Sequence, residues 1–225
     1  MCDLRSFVWR FCNTTSQRTK FGKELMRIAT ITLVWTIVLV AGFISMAKYE
    51  FTPGESGAPP ELWPASASDV ISLTADQPAL VVFAHPKCPC TRATMSELER
   101  LMVVNQDRVQ THVVFIKPAG VPDGWTQTDL WNHAGRIPNT TVFADEDGSL
   151  SEMFQAKTSG TAVLYDSNKR LVFRGGLTSS RGHEGDNTGI SSIKAFLNGQ
   201  RPNHPTTPVY GCALHGADSS SGAKQ

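Results

Sequence analysis

Hydrophobic residues follow two different patterns along this chain. Residues 28–47 are twenty successive residues without a charged side chain, and a helix of that length can cross a hydrocarbon core of about 30 Å. From residue 79 onward, short apolar runs alternate with segments in which apolar residues recur at helical spacing. The first pattern predicts a transmembrane helix, and the second predicts an α/β domain.

The residues that precede the long apolar run are strongly basic. Six cations lie there against two acids: Arg5, Arg10, Arg18, Lys20, Lys23 and Arg27 against Asp3 and Glu24. The positive-inside rule then predicts that residues 1–27 are cytoplasmic and that the chain after Lys48 is periplasmic or otherwise extracytoplasmic. A cleaved signal peptide would have a shorter apolar core, although the small residues at 45–47 leave cleavage open. We expect a single uncleaved span.

The outer part of the chain is predicted to divide into three segments. Residues 48–67 are rich in proline and glycine, which predicts a stiff linker. Residues 68–200 carry the α/β pattern, with a short edge strand expected at 69–73. Residues 201–225 are rich in Pro, Gly, Ser and Thr and are expected to form an irregular arm and a loose tail.

The order of predicted elements within the α/β segment defines its sheet. Strands are expected at 79–84, 111–116, 140–143, 161–165 and 171–173, and helices at about 90–104, 126–134, 150–154 and 190–197. This order predicts a central sheet with helices on both faces, in which reactive groups lie beyond the carboxyl ends of strands.

The chain has five cysteines, and the predicted topology indicates on which side of the membrane each one lies. The predicted topology leaves Cys2 and Cys12 in the cytoplasm, where they would stay reduced, and puts Cys88, Cys90 and Cys212 outside, where disulfides persist. The net charge of +1 lacks the excess of positive charge that is typical of nucleic-acid-binding proteins, so no nucleic-acid partner is expected. The sequence has no nucleotide-binding glycine pattern and no haem-attachment motif.

Cys88 and Cys90 flank Pro89 at a predicted strand-to-helix turn. Unpaired backbone N–H groups and the helix dipole favour an anion there, so a thiol at this point ionises easily and becomes the nucleophile of disulfide exchange. A disulfide between cysteines two positions apart is strained and easily reduced, which suits exchange. The alternative is a pair of inert core cysteines. We expect Cys88, nearer the strand, to attack and Cys90 to resolve the mixed disulfide.

Several neighbours are candidates for auxiliary roles. His85 could ionise the thiol, bind metal or be an exposed loop histidine. Cys212 could resolve a mixed disulfide, bind metal or be a buried packing residue. His183 lies in a polar loop whose residues could equally form a turn held by side-chain hydrogen bonds. The cations Lys87 and Arg92 would favour a thiolate or simply be solvated.

A soft metal ion such as copper(I) or zinc is the alternative partner of these thiols. Three cysteines and one histidine would satisfy such an ion: Cys88, Cys90 and Cys212 with His85, His183 or His215. These residues are far apart in the sequence, and the sequence alone does not predict that the fold brings them together around one ion. We therefore expect no cofactor and no metal, and keep a metal chaperone as the alternative function.

Residues 68–200 resemble the thioredoxin-like fold, and three segments resemble the membrane-anchored RedB-type redoxins of bacteria. The three segments are HPKCPCTR at 85–92, GGLTSSRGHEGDN at 175–187 and PVYGC at 208–212. The resemblance implies a thiol–disulfide role at a cell envelope without naming a substrate. Two departures are visible. A single residue separates the cysteines, and Ser159-Gly160 stands where thioredoxins have a cis-proline. Gly160 would let another backbone approach closely.

These observations predict a membrane-tethered thiol–disulfide oxidoreductase. It would act on protein thiols or disulfides of the cell envelope through Cys88 and Cys90. A noncatalytic adaptor that assembles an envelope complex is a third hypothesis.

Overall fold

The structure, a computed structural model, describes residues 4–215, with side chains from residue 21 onward. Cys2, the side chain of Cys12 and the loose tail predicted after residue 216 lie outside the described residues. The chain divides into two units between Tyr49 and Glu50.

The long apolar run is part of one helix, α1, Leu4–Phe51. By length and composition, its Phe21–Phe51 portion can cross a membrane, as a span or as a signal sequence. Its hydroxyl groups are satisfied within the helix, because Thr30, Thr36 and Ser45 each donate to the carbonyl one turn earlier. Side chains satisfied in this way are compatible with an apolar environment.

The second unit is built on a five-stranded mixed sheet in the order β3-β2-β1-β4-β5. Its strands are β1 Ala79–Ala84, β2 Gln110–Lys117, β3 Thr140–Glu146, β4 Thr161–Tyr165 and β5 Leu171–Gly175. β1, β2 and β3 are parallel, whereas β4 is antiparallel to both β1 and β5. The five predicted strands are confirmed. β3 extends beyond its predicted end because pairing with β2 continues as far as Lys117 and Glu146.

Four helices accompany the sheet: α2 Pro89–Asn105, α3 Asp129–Ala134, α4 Ser149–Met153 and α5 Thr188–Leu197. The helix predicted at 126–134 is in fact a 3₁₀ helix, Asp123–Thr126, followed by α3. The two are separate because Thr128, the N-cap of α3, has an extended backbone. The other three helices were predicted to within a few residues.

Both faces of the sheet are covered, because alternate residues of β1 point to opposite sides. Leu80 and Val82 pack with residues of α2, α3 and α5. Val81 and Phe83 pack with residues of α4 and of the segment that precedes β1. Every residue of β1 is buried, so the turn that follows this strand starts from a fixed position.

Residues 52–64, predicted as part of a linker, pack on the sheet unit. Trp63 is 6% exposed and meets Phe154 and Tyr165 edge to face, with ring centroids 5.2 Å apart in both pairs. The Tyr165 hydroxyl donates to the carbonyl of Pro60 at 2.8 Å. The proline- and glycine-rich composition predicts an irregular backbone here but does not reveal this aromatic anchor.

The edge strand predicted at Asp69–Leu73 is wrong. A 3₁₀ helix, Ala65–Asp69, occupies the start of this stretch, and no strand follows it before Ala79. Ile71 is fully buried in the core, whereas Val70 is half exposed. This stretch therefore packs through an inserted side chain and not through strand pairing.

Candidate functional site

The Cys-Pro-Cys segment follows β1 and forms the start of α2, where the sequence predicts it. Cys88 is the N-cap of α2 and Pro89 occupies the first helical position, where its missing N–H is not needed. Cys88 is 1% exposed and Cys90 is 8% exposed. The candidate nucleophile thus lies at the positive end of a helix, but it is covered.

Cys88 is in contact with Cys212, the third cysteine of the sheet unit. The sulfur atoms of Cys88 and Cys212 are 2.7 Å apart, although the two residues are 124 positions apart in the sequence. Both are free thiols, and Cys212 is only half-buried. Of the three hypotheses for Cys212, this contact favours a redox role over simple core packing.

Cys212 is held in place by the backbone of the C-terminal arm, which we define as residues 201–215. The amide of Ser159 donates to the carbonyl of Cys212 at 2.8 Å. The guanidinium of Arg181 donates to the carbonyl of Gly211. A side chain at Gly211 would collide with the carbonyl of Ser159, so glycine is needed for this close approach.

The glycine-rich segment after β5 packs against the same arm. A Cβ at Gly175 would collide with Thr207, and a Cβ at Gly176 would lie 2.6 Å from the carbonyl oxygen of Pro208. The two glycines therefore allow the arm to run directly along the end of β5. Their role is structural, and it places the arm beside the reactive turn.

Ser159 joins the reactive turn to helix α2. Its hydroxyl accepts from the amide of His85 at 2.8 Å and shares a 2.7 Å hydrogen bond with the hydroxyl of Thr91. The next residue, Gly160, has a φ of 92°, and a Cβ there would lie 3.1 Å from Oγ1 of Thr94. The nearest atom to such a Cβ belongs to a helix side chain, and the close approach of another backbone at Gly160 stays a prediction.

The contact with Cys212 separates the ionisation of the thiols. The thiolate form of Cys88 accepts a hydrogen bond from the Cys212 thiol, which lowers the pKa of Cys88 to about 5. Burial opposes this shift, and hydrogen bonds from the Cys212 backbone and from Thr91 add to it. The same contact, with burial adding to it, raises the pKa of Cys212 far above its usual value. Burial, and then the charge of Cys88, raise the pKa of Cys90. At neutral pH, Cys88 is the thiolate of the cluster.

The hydrogen bonds that lower the pKa of Cys88 come from Cys212 and Thr91. Lys87 lies over the ring of Trp125, 5.2 Å from its centroid, and Arg92 pairs with Asp129 at the surface. His85 is buried, and its Nδ1 accepts a hydrogen bond from the amide of Lys87 at 3.1 Å. These side chains shape the turn, whereas the arm and α2 control the thiolate.

His183 and His215 are the other two histidines that were considered as metal ligands. His183 is exposed in the glycine-rich loop, and Asn187 caps α5 by accepting from the amide of Ile190 at 2.8 Å. His215 lies 2.9 Å from the hydroxyl of Ser151. Among the side chains of residues 21–215, no group of three or more His, Cys, Asp or Glu is arranged to hold a metal ion.

Three residues of the site were missed from the sequence: Thr91, Ser159 and Arg181. Thr91 and Ser159 are ordinary polar residues whose burial becomes apparent only in the fold. A signal for Ser159 was its position before Gly160, where thioredoxins have proline. Arg181 was visible only as part of the glycine-rich segment.

The central strand of this mixed sheet leads to a cysteine at a helix N-cap, and helices cover both faces of the sheet. These features together identify the fold class. The protein has the thioredoxin-like fold, as residues 68–200 predict. Neither a protein-family model nor a curated protein matches the sequence. The narrower resemblance to RedB-type redoxins stays a prediction.

Solved structures match the chain at low identity. An uncharacterized conserved protein from Geobacillus kaustophilus is 19% identical over 74% of this chain and 93% of its own, with a TM-score of 0.51. A hypothetical protein from Sinorhizobium meliloti 1021 is 18% identical over 72% of this chain and 93% of its own, also with a TM-score of 0.51. A secreted Mycobacterium tuberculosis disulfide oxidoreductase is 15% identical over 56% of this chain and 83% of its own, with a TM-score of 0.39.

Proposed function

We propose that this protein is a thiol–disulfide oxidoreductase, anchored to a membrane by α1 and acting on protein thiols or disulfides at the extracytoplasmic face. The observation that carries the proposal is the 2.7 Å contact between the sulfur of Cys88, at the N-cap of α2, and the sulfur of Cys212. This contact lowers the pKa of Cys88. Disulfide exchange needs these two groups, because a thiolate attacks the disulfide and a neighbouring thiol releases the product.

Cys88 is the nucleophile of the proposed reaction. Its sulfur attacks one sulfur of a partner disulfide and forms a mixed disulfide, while the other partner sulfur leaves as a thiolate. A second cysteine of this chain then attacks Cys88 and releases the partner in its dithiol form. Cys90 and Cys212 compete for this second step, and the sequence predicts Cys90. Because Cys88 is 1% exposed, the side chains that cover its sulfur have to move when a partner docks.

The membrane anchor is supported by two observations about the N-terminal part of the chain. Its helix is long and apolar enough for a span, and the residues in front of the apolar run are basic. With the positive-inside rule, these support a cytoplasmic N-terminus and a periplasmic or equivalent location for the thiol site.

Redox titration of the full-length protein in detergent tests the proposal. The protein is equilibrated at neutral pH in mixtures of reduced and oxidised glutathione, quenched with acid, alkylated in denaturant and weighed. Wild-type protein should pass between a dithiol and a disulfide form, and Cys88→Ser should abolish this transition. Cys12→Ser is the matched control and should leave it unchanged.

Two results would contradict this proposal. The first is a Cys88→Ser variant that titrates like the wild type, which would remove Cys88 from the chemistry. The second is a cluster that resists alkylation until a chelator strips metal from the protein, which would favour the metal-chaperone hypothesis.

A further inference from the structure

We propose that Cys212, and not Cys90, resolves the mixed disulfide, so that the redox disulfide joins Cys88 to the C-terminal arm. This inference rests on the proposed function and names the second catalytic residue of the same site. It replaces the pairing of Cys88 with Cys90 that the sequence predicts.

The sulfur of Cys212 already lies against the sulfur that it would attack, at 2.7 Å. The residues that follow it are fixed to the strand-like segment before β4. Ala213 forms an antiparallel bridge with Thr158, and the amide of Leu214 donates to the carbonyl of Lys157 at 2.8 Å. Bond formation between the two sulfur atoms therefore requires little movement of the backbone.

The position of the arm does not depend on the thiol contact alone. The amide of Thr207 donates to the carbonyl of Arg174 at 3.1 Å, and the amide of Gly54 donates to the carbonyl of Val209 at 2.8 Å. Backbone hydrogen bonds thus hold the arm on both sides of the chain that leads to Cys212. Cys212 is therefore positioned beside Cys88 by an ordered segment of the fold.

The contact also sets the order of the two attacks. While Cys88 is a thiolate, its hydrogen bond and its charge keep Cys212 protonated. Once Cys88 is part of a mixed disulfide, that charge is gone, and the main cause of the raised pKa of Cys212 disappears with it. The cation Arg181 then favours a thiolate at Cys212. Cys212 becomes a nucleophile when there is a mixed disulfide to attack.

The pKa of Cys90 depends less on the state of Cys88 than the pKa of Cys212 does, because burial is its largest cause. Its pKa is raised first by burial and only then by the charge of Cys88. Formation of a mixed disulfide at Cys88 removes the second cause but leaves the first. Cys90 therefore remains a weaker candidate for the resolving thiolate, although Arg181 acts on it in the favourable direction.

The complete reaction balances between the two cysteines and one partner disulfide. The bond between Cys88 and the partner forms as the partner disulfide breaks, and the departing thiolate takes a proton. Cys212 then loses its proton and attacks Cys88, and the partner's second sulfur leaves and is protonated. Two electrons pass from Cys88 and Cys212 to the partner.

The test uses the reduced full-length protein in detergent and oxidised glutathione as the disulfide. Cys212→Ser is compared with Cys90→Ser, because serine keeps an O–H donor beside Cys88 but cannot form a disulfide. Trypsin releases Cys88 and Cys90 in one peptide, residues 88–92, and Cys212 in another, residues 195–224. Mass spectrometry under non-reducing conditions then identifies the linked peptides, and the Cys90→Ser variant assigns the link to Cys88.

We expect the wild type and Cys90→Ser to join the two peptides. Cys212→Ser should instead accumulate a glutathione adduct on Cys88 that persists about tenfold longer or more than in the wild type. A disulfide within peptide 88–92 of the wild type, with Cys212 free, would overturn the inference. So would rapid clearance of the adduct in Cys212→Ser. If Cys88 forms no adduct and no disulfide in any variant, the proposed function itself fails.

Discussion

The ionisation of Cys88 can be measured directly, and the proposed chemistry depends on it. The structure lowers its pKa to about 5, from an ordinary value of 9.0. At pH 7 about 99% of this thiol is then ionised, compared with about 1% of an ordinary one. The reduced full-length protein should therefore lose one thiolate as the pH falls through about 5. The loss is measured as a decrease in the ultraviolet absorbance of the thiolate.

The same ionisation stabilises the reduced fold. The pKa in the folded protein lies below that in the unfolded chain, so the contribution is full above about pH 9, declines steadily as the pH falls, and is almost gone below about pH 5. With a folded pKa of about 5 and an unfolded pKa of about 9, linkage gives about 2.7 kcal/mol at pH 7 and almost nothing at pH 4. Denaturant unfolding of the wild type should show this extra pH dependence relative to Cys88→Ser.

Two substitutions at Cys212 separate the hydrogen bond from the sulfur chemistry. Cys212→Ser retains an O–H donor, so the absorbance midpoint should stay near pH 5. Cys212→Ala removes the donor, which is the largest cause of the lowered pKa, and its midpoint should move toward the value of an ordinary thiol. Equal midpoints in these two variants, or an unchanged absorbance step in Cys88→Ser, would refute the reasoning.

Three further predictions concern stability, each measured by denaturant unfolding. Burial lowers the pKa of His112 from 6.5 to about 4. The folded state therefore favours the neutral ring, and the free energy of unfolding of the wild type should fall by about 2 kcal/mol between pH 7 and pH 5 because of His112. His112→Leu should not show this decrease, and an equal decrease in the variant would contradict the prediction. Trp63→Ala should cost about 3–5 kcal/mol, whereas Leu62→Ala, at an exposed neighbour, should cost less than about 0.5 kcal/mol; equal costs would contradict the anchoring of residues 52–64. Ser159→Ala should cost about 1–3 kcal/mol because it leaves buried hydrogen-bonding groups unpaired, and Ser179→Ala, at the surface, is its control.

The parts of the fold that the sequence predicts are those governed by local patterns. β1 is recognisable because its apolar run is uninterrupted, and α2 because Met95, Leu98 and Met102 recur at helical spacing. The position of Cys88 at the start of α2 follows from these two elements and from Pro89. The sequence therefore predicts the nucleophile and its helix terminus.

The parts that it does not predict depend on contacts between distant segments. The approach of Cys212 to Cys88 bridges 124 positions, and no periodicity encodes such a contact. The packing of Trp63 on Phe154 and Tyr165 is likewise long-range. Gly211 was the available clue to the arm, since a glycine directly before a cysteine is consistent with a close backbone approach.

The place of the arm in the sequence has a consequence for how the protein is made. All five strands and the Cys-Pro-Cys turn precede the arm, so the sheet can form before the arm docks on it. Until the arm docks, Cys90 is the thiol nearest to Cys88 in the sequence. A folding catalyst that meets the chain at that stage encounters a different cysteine pair from the one present after the arm has docked.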